Sequence, residues 1–536
     1  MTATMTPYRP PQQAGRDGFA QLLRAEWTKL RTLRGWVIAL VIAAVLIGVV
    51  GALLPRGSGC PGGGTACLSH IPTGPGGEAV NDGYYLAGQP LAGDGSITVR
   101  VTSLTGMISN QGGYFGPNGP NETARRGLVP WAKAGIIITA STRPGAAYAA
   151  MMVTGSHGVR MQYDYTSDIA GLPGPVSAAS PRWLRLTRSG DVVTGYDSAD
   201  GRRWTKLGAA SLAGLTGTVR AGPFATSPLD FTPNFPTYGE PGGGLSASAA
   251  TGTFDHVDLR GGAPAGRWAG QSVGSGSSVG SSGLPRTGFH QAGGRLIVTG
   301  SGDIGPIVAA GVNSLYDTGT LEDHLFGVFI GLLIMIVIAA MFITVEYRRG
   351  LIATSLAASP RRGRLLAAKA VVIGLVTLVL GSAGVAVAVI AGAHIARSSG
   401  VYLLATGWLA DTRIILGTGA MLAVASVLAL AIGTMLRRSV ATVATVVVAI
   451  VLPYILGVTG TLPAAVSEWI LRVTPAAGYA IVQTVPQYPQ VVGHYGPPDY
   501  YPLGPWSGLA VLCGYAVLAL SLAAWLLRRR DAGGTA

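Results

Sequence analysis

Six long, uncharged apolar stretches constrain the fold of this chain more than any other feature of its sequence. Each has about 20 residues, which at 1.5 Å per residue matches the roughly 30 Å hydrocarbon core of a bilayer. They predict six transmembrane helices, at residues 36–54, 325–345, 370–393, 414–436, 439–458 and 506–527. None of these stretches has an Asp, Glu, Lys or Arg in its interior, which argues against a proton- or ion-coupled carrier.

The basic residues are divided unequally along the chain, and this predicts its orientation. The N-terminal arm, residues 346–369, residues 437–438 and the tail after residue 527 together hold 17 basic and 4 acidic residues. Residues 55–324, in contrast, hold 18 basic and 17 acidic residues. Because Lys and Arg accumulate on the cytoplasmic side, we expect a cell-membrane protein with both termini inside and residues 55–324 outside. The net charge of +14 comes from short basic clusters beside the apolar stretches. This position favours binding to anionic lipid over binding to nucleic acid.

The N-terminal region divides into a Pro-rich arm and an amphipathic helix. Residues 1–16 have no pattern and are predicted to be a disordered cytoplasmic arm, whereas residues 17–35 have one apolar face. Glu26 falls within that face, which is costly unless a basic group pairs with it. Alternatively, its carboxylate reaches past the helix edge to water. The long arm and the lack of a small-x-small cleavage site predict an uncleaved anchor rather than a signal peptide.

Residues 55–324 are Gly-rich and polar, and they are numerous enough for a domain with its own core. From about residue 81, short stretches alternate apolar and polar residues, as in VRMQYDY at 159–165, and Asp200-Gly201 is a hairpin signal. These features predict an antiparallel β-sandwich at about 81–304, between the first and second spans. A Gly/Ser-rich stretch at 269–285 predicts a flexible linker.

Three cysteines bear on the redox chemistry. Cys60 and Cys67 lie in the segment expected outside the cell, so they predict a small disulfide loop, whereas Cys513 falls within the last span. Two cysteines do not supply the four ligands of a structural zinc site, and no metal is predicted.

The stretches WAKAGIIITAS, WLRLTRSG, GYDSADGRRWTKLG and TGTFDHVDL resemble bacterial concanavalin A-like (laminin G-like) jelly-roll domains. The strand-like segment GGRLIVTGSGDI at 293–304 follows the linker instead of standing near the domain start, which implies a permuted domain. The resemblance implies a sandwich that binds surface carbohydrate. Trp183, Tyr196 and Trp204 are candidates for a sugar-stacking face, although aromatic residues in sandwich strands also serve as core.

The segment EYRRGLIATSLAASPRRGRLLAAK at 346–369, between the second and third spans, and EWTKLRTLRGW before the first span resemble the permease subunits of ABC type-2 transporters. The resemblance implies an elbow helix that includes Glu26, Trp27, Lys29 and Arg31. It also implies that residues 346–369 form a cytoplasmic coupling loop on an ATPase subunit, and that a second permease copy is present. The coupling residues would be Glu346, Arg348, Arg349, Gly350, Pro360, Arg361, Arg364 and Lys369. The outer loop at 460–505 carries a re-entrant or interfacial helix at 463–473, and residues 528–536 form a cytoplasmic tail.

The chain lacks the motifs of an ATPase or another enzyme. No Gly-Lys dipeptide occurs, so there is no phosphate-binding loop, and no catalytic constellation is found among the scattered histidines. We therefore expect no enzyme activity and no cofactor in this chain, with ATP and Mg²⁺ bound by the partner ATPase. The sequence favours the permease subunit of an ATP-driven exporter. The alternative is a membrane-anchored carbohydrate-binding or sensory protein without transport.

Overall fold

The fold was analysed in a computed structural model of the chain. The structure describes residues 18–53, 71–109, 124–234, 242–262, 267–274, 283–307, 318–351, 361–399, 401–404, 406–458, 462–484, 488–490 and 501–529.

Helices occupy both ends of the described chain. They are α1 (Phe19–Thr32), α2 (Arg34–Leu53), α3 (Gly327–Arg348), α4 (Arg362–Ser398), α5 (Trp408–Leu436), α6 (Ser439–Val458), α7 (Ala464–Val473) and α8 (Pro505–Arg529). Two 3₁₀ helices, Glu322–Leu325 and Pro475–Val482, lie next to α3 and α7. Six of the described helices, α2 to α6 and α8, are long and apolar enough to cross a membrane. This agrees with the six spans expected from the sequence.

The long helices pack into one bundle, with α3 and α5 the most buried of them. Small residues allow α2 and α4 to approach closely, as is common where helices pack in lipid. A Cβ atom added to Gly384 on α4 would lie 2.6 Å from the carbonyl oxygen of Ala44 on α2. At Gly48 on α2, an added Cβ would lie 2.9 Å from Val387 of α4. A side chain at Gly384 would therefore collide with the backbone of α2, and one at Gly48 would require the Val387 side chain to move.

The bounds of several helices differ from the expected spans. Helix α4 begins at Arg362, two turns before the expected start at residue 370, and ends at Ser398. Helix α3 continues to Arg348, so the expected loop at 346–369 is shortened from both ends. A helix can continue through charged residues when a neighbouring element forms ion pairs with them. A hydropathy pattern does not reveal such pairing, so it places the end of α3 too early and the start of α4 too late.

Strands fill the described chain between α2 and α3. They are β1 (Val80–Asp82), β2 (Tyr84–Ala92), β3 (Gly95–Ser109), β4 (Ala124–Arg126), β5 (Lys133–Thr139), β6 (Tyr148–Thr154), β7 (Val159–Tyr163), β8 (Ser167–Ala170), β9 (Arg182–Ser189), β10 (Val192–Ser198), β11 (Thr205–Ser211), β12 (Thr218–Thr226), β13 (Asp230–Asn234), β14 (Gly242–Ser246), β15 (Ser248–Gly261), β16 (Ala269–Val273), β17 (Gly288–Ala292), β18 (Arg295–Gly300), β19 (Ile304–Pro306) and β20 (Thr318–Gly319). One further strand, β21 (Tyr402–Leu403), lies between α4 and α5 and pairs in parallel with β20.

Two large antiparallel sheets make up most of this β region. One has the order β11-β10-β9-β3-β15-β18-β17, with β4 also paired to β3, and the other has the order β16-β2-β12-β5-β6-β7-β8. Side chains from both sheets share one apolar core, to which Val99, Leu184, Phe254, Ile136 and Met151 contribute. The alternation expected for VRMQYDY is present only in part. Val159 and Met161 of β7 lie in this core, but Gln162 between them and the strand end is buried as well. The strand ends at Tyr163, and Tyr165, with a φ of +61°, packs in a separate apolar cluster.

The stretch expected to be a flexible linker is structured at its beginning. Residues 269–273 form β16, which pairs with β2 at the edge of its sheet. After the linker, β18 pairs with both β15 and β17, so the late strand-like segment is built into the other sheet rather than left unpaired. The chain after β18 is bound to β5 by Lys133. Its Nζ donates hydrogen bonds to Asp303 Oδ1 at 2.8 Å and to the carbonyl oxygen of Ile304.

Candidate functional site

Four charged side chains meet where α1, α3 and α4 converge, and we call Glu26, Lys29, Glu346 and Lys369 the charge cluster. Lys369 Nζ donates hydrogen bonds to Glu26 Oε2 at 2.6 Å and to Glu346 Oε1 at 2.8 Å. Lys29 Nζ donates to Glu26 Oε1 at 2.7 Å and to Glu346 Oε1 at 3.2 Å. Each lysine therefore contacts both carboxylates, and the cluster is formally neutral.

The charge cluster is buried on one side and open on the other. The side chain of Lys369 is fully buried and that of Glu26 is 2% exposed, whereas that of Lys29 is 39% exposed. The Lys369 ammonium also lies 4.5 Å from the ring centre of Phe342, within cation–π distance. Burial of an isolated charge at this depth would cost several kcal/mol, and the mutual hydrogen bonds of the cluster offset that cost.

Helix geometry brings these residues together. Glu26 and Lys29 are three residues apart, which places them on one side of α1. Glu346 lies near the end of α3, and Lys369 lies two turns after the start of α4. These two positions therefore stand side by side where the two helices pack. Of the two alternatives for Glu26, pairing with a basic group is confirmed and the reach to water is wrong.

Lys29 remains protonated at neutral pH. Burial alone would lower the pKa of its ammonium, but the hydrogen bonds and negative charges of Glu26 and Glu346 outweigh it and raise the pKa above its usual value. The carboxylates of Glu26 and Glu346 therefore stabilise the charged form of the partly exposed lysine.

The other residues expected to contact an ATPase lie at the ends of α3 and α4 or in the connection between them. Arg348, Arg349, Arg361 and Arg364 are all exposed, and we call these four the basic rim. Gly350 follows α3 with a φ of +68°, a backbone conformation that other residues rarely adopt. Pro360 lies outside the described residues.

Two of the expected coupling residues are placed differently from the expectation. Glu346 and Lys369 were expected on a surface loop against an ATPase, but the structure places them inside helices and against α1. Their charges are engaged within the chain, whereas the four arginines of the basic rim are exposed. The hydropathy pattern could not reveal this, because the partner of Lys369 lies 343 residues away in sequence.

The other elbow residues face outward. Trp27 is 48% exposed and Arg31 is exposed, on the side of α1 next to α2 and α4. An exposed Trp beside arginines is typical of a helix at a membrane interface. Helix α1 thus has its carboxylate buried in the bundle and its aromatic ring at the surface.

The three aromatic residues proposed as a ligand face lie on the outer side of one sheet. Trp183 of β9 and Tyr196 of β10 are half-buried, and Leu184 and Leu186 occupy the core positions instead. The two tryptophan rings already have protein partners. Arg185 Cζ lies 3.9 Å from the ring centre of Trp204. The Trp183 ring lies 5.3 Å from that of His256, and Arg100 Cζ lies 5.7 Å from it.

A second polar site, not foreseen from the sequence, lies on the outer face of the other sheet. Asp82 is buried there and accepts a hydrogen bond from the Gly145 N–H at 2.9 Å. Burial raises the pKa of Asp82 to about 6, although hydrogen bonds from Tyr165 and Gly145 oppose the shift. Gln490, between α7 and α8, donates from Nε2 to the carbonyl oxygen of Tyr165 at 2.8 Å. The helical part of the chain therefore contacts the β region beside Asp82, and no local sequence pattern marks this contact.

Metal and disulfide sites are limited in the described part of the chain. It contains no group of three or more His, Cys, Asp or Glu residues that could hold a metal ion. Cys60 and Cys67 lie outside the described residues, and Cys513 is a free thiol in α8.

Comparison with known proteins gives no family for this chain. No protein-family profile and no curated protein matches it. Among solved structures, a functionally unknown protein from Saccharomyces cerevisiae is similar at 17% identity and a TM-score of 0.19, covering 33% of this chain and 74% of its own. SCP-B, a member of the eqolisin family of peptidases, is similar at 9% identity and a TM-score of 0.22, covering 42% of this chain and 100% of its own. Scytalido-glutamic peptidase is similar at 8% identity and a TM-score of 0.23, covering 42% of this chain and 98% of its own. Similarity at these TM-scores determines neither the fold nor the activity of this chain.

Proposed function

We propose that this chain is the membrane-spanning permease subunit of an ATP-driven ABC exporter whose ATPase is a separate chain. The observation that carries the proposal is the charge cluster, which ties the amphipathic helix α1 to both helices that flank the connection at 349–361. A movement imposed on that connection would therefore reach α1 and the bundle together. A helix that only anchors a surface domain has no need of such a link.

The charge cluster is suited to a two-state element. Because each lysine contacts both carboxylates, α1 could shift against α3 and α4 while every charge keeps at least one opposite partner. Such an exchange avoids the cost of an unpaired buried charge. An ATPase that binds one arrangement more tightly than the other would shift the equilibrium between them.

The basic rim is the proposed docking surface. Its four exposed arginines are free of the charge cluster, and they offer a positive surface to acidic residues of an ATPase. Under this proposal the rim faces the cytoplasm, together with both chain termini, and the β region faces outward. ATP and Mg²⁺ would be bound by the partner, since this sequence lacks a phosphate-binding loop. A second permease copy completes the proposed transporter.

A membrane-anchored carbohydrate-binding or sensory protein is the second candidate function. The outward position of Trp183, Tyr196 and Trp204 favours it, because stacked aromatic rings are typical of sugar sites. The burial of α3 and α5 inside a six-helix bundle favours the exporter, since one span would suffice for an anchor. The two functions also combine, with a lectin-like domain carried on a permease.

Co-purification from the native cell tests the exporter proposal. The chain is isolated in mild detergent as wild type and as the Arg361→Glu/Arg364→Glu variant, which reverses two charges of the basic rim. We expect the wild type to retain an ATP-hydrolysing chain and the variant to lose it, because charge reversal at an interface costs several kcal/mol. Arg202→Glu/Arg203→Glu, the same change at exposed sites of the β region, is the matched control. Retention of the ATPase at wild-type amount by the rim variant would reject the rim as the docking surface, and its absence from wild type would reject the exporter.

A further inference from the structure

A groove opens between α1, α2 and α4. It has a volume of about 460 Å³, within the range of small-molecule sites. Its walls are apolar: Leu30 and Trp27 come from α1, Val37, Leu40 and Val41 from α2, and Leu375, Val376, Val379 and Leu380 from α4. The groove opens outward, since Leu375 is 55% exposed and Val379 is 63% exposed.

The groove begins beside α1 and continues along the outer sides of α2 and α4. Val379 lies ten residues beyond Lys369 on α4, which corresponds to about 15 Å along the helix. Apolar walls of this length do not hold water, and in a membrane they would face lipid chains. The shape therefore fits one acyl chain that enters beside α1.

The mouth of the groove is cationic. Arg31 is its one charged lining residue, and no described carboxylate forms an ion pair with it. Arg34 is exposed three residues further along, at the start of α2. Trp27 stands at the same opening and is suited to the level of lipid headgroups. An unpaired guanidinium above an apolar groove complements an amphiphile with a phosphate headgroup.

We infer that this groove binds one anionic phospholipid of the surrounding bilayer leaflet, with an acyl chain between α2 and α4 and its phosphate at Arg31. The bound lipid would fill the space under α1 and pack against Trp27 and Leu30 of that helix. The inference does not depend on an ATPase or on transport, because it rests on the shape and charge of the groove alone.

Native mass spectrometry of the full-length chain tests this site. The protein is reconstituted into nanodiscs of phosphatidylcholine with a minor fraction of phosphatidylglycerol, and the lipids that stay bound after release are counted. We expect wild type to retain one phosphatidylglycerol in preference to phosphatidylcholine. Val379→Trp, which fills the groove, should abolish this retention, whereas Val448→Trp, at an exposed position of α6, should not.

The headgroup contact is tested separately, so that the result does not rest on one variant that alters packing. Arg31→Gln should reduce the preference for phosphatidylglycerol roughly fivefold, the contribution of one basic residue near a lipid surface. Arg529→Gln, at the exposed end of α8, should leave the preference unchanged. Equal retention of the two lipids by wild type, or equal loss in the groove variants and their controls, would overturn the inference. So would an amphiphile other than a phospholipid that occupies the groove in the protein from native cells.

Discussion

Lys369 is the buried positive charge that pairs with both carboxylates of the charge cluster. Its side chain is completely buried, and it is the one group that hydrogen-bonds both Glu26 and Glu346 from inside the bundle. Without it, the two carboxylates share only the partly exposed Lys29.

We expect Lys369→Met to lower the free energy of unfolding by about 3–5 kcal/mol, because one partner of a buried ion pair is lost and its carboxylates stay buried. Lys206→Met, at an exposed position of β11, should change it little. The double variant Lys369→Met/Glu26→Gln should recover part of the loss, since one buried negative charge is removed as well. Thermal unfolding in detergent measures this, and wild-type stability of the single variant would contradict a structural role for the cluster.

Asp82 gives the β region a pH-dependent stability. Its pKa is about 6 in the folded chain, against 3.8 for an exposed Asp, so folding favours the protonated carboxyl. The sign follows from linkage: the stabilising contribution is complete below pH 3.8 and is lost as the pH rises through about 6. A shift of this size corresponds to about 3 kcal/mol at neutral pH.

Asp82→Asn should therefore remove the fall in stability between these pH values and make the β region more stable at pH 7. The asparagine side-chain oxygen still accepts from the Gly145 N–H, so the local hydrogen bond is kept. Unfolding of the full-length chain, followed across this pH range for both proteins, provides the measurement. Parallel pH profiles for the two proteins would exclude Asp82 as the cause.

Among the elements, the close contact of α2 and α4 is sensitive to a single methyl group. Gly384→Ala places a Cβ 2.6 Å from the Ala44 carbonyl oxygen, so we expect a loss of roughly 1–3 kcal/mol through overpacking. Gly514→Ala is a matched control, because the added Cβ on α8 has no atom within 4 Å. That control should be neutral or stabilise the helix by up to about 1 kcal/mol. Equal unfolding temperatures for the two variants would show that α2 and α4 are not packed as described.

Periodicity and hydropathy predict the existence of the elements well and their ends poorly. The six spans and the antiparallel strands follow from local pattern, since apolar length and alternation are properties of neighbouring residues. The early start of α4 at Arg362 and the strand β16 within a Gly/Ser-rich stretch depend on partners elsewhere. β16 forms because it pairs with the edge strand β2 through backbone hydrogen bonds. The Gly/Ser-rich composition of β16 does not indicate this pairing.

The candidate site was predictable only in part, for the same reason. Glu26 was recognisable as a misplaced carboxylate on an apolar helix face, but its partner Lys369 is 343 residues away and Glu346 is linked to Lys29 across 317 residues. Sequence pattern placed Lys369 at a loop end, where a lone charge would be expected. Only the packing of three helices converts it into the buried centre of the charge cluster.

At the scale of the whole molecule, two regions of different character share one chain. The β region is attached to the bundle through β20 with β21 and through Gln490 with Tyr165. These contacts lie at the end of the bundle opposite the basic rim, because α3 and α4 traverse it between them. We therefore propose that the β region lies on one face of the membrane and that the bundle joins it to a docking surface on the other face.

Cysteine labelling in intact cells tests this two-sided arrangement most directly. In a chain whose native cysteines are replaced, single cysteines are introduced at Ser189, an exposed position of β9, and at Arg349 in the basic rim. A membrane-impermeant maleimide should label Ser189→Cys in intact cells and Arg349→Cys only after permeabilisation. Labelling of both positions in intact cells, or of Arg349→Cys alone, would contradict the account.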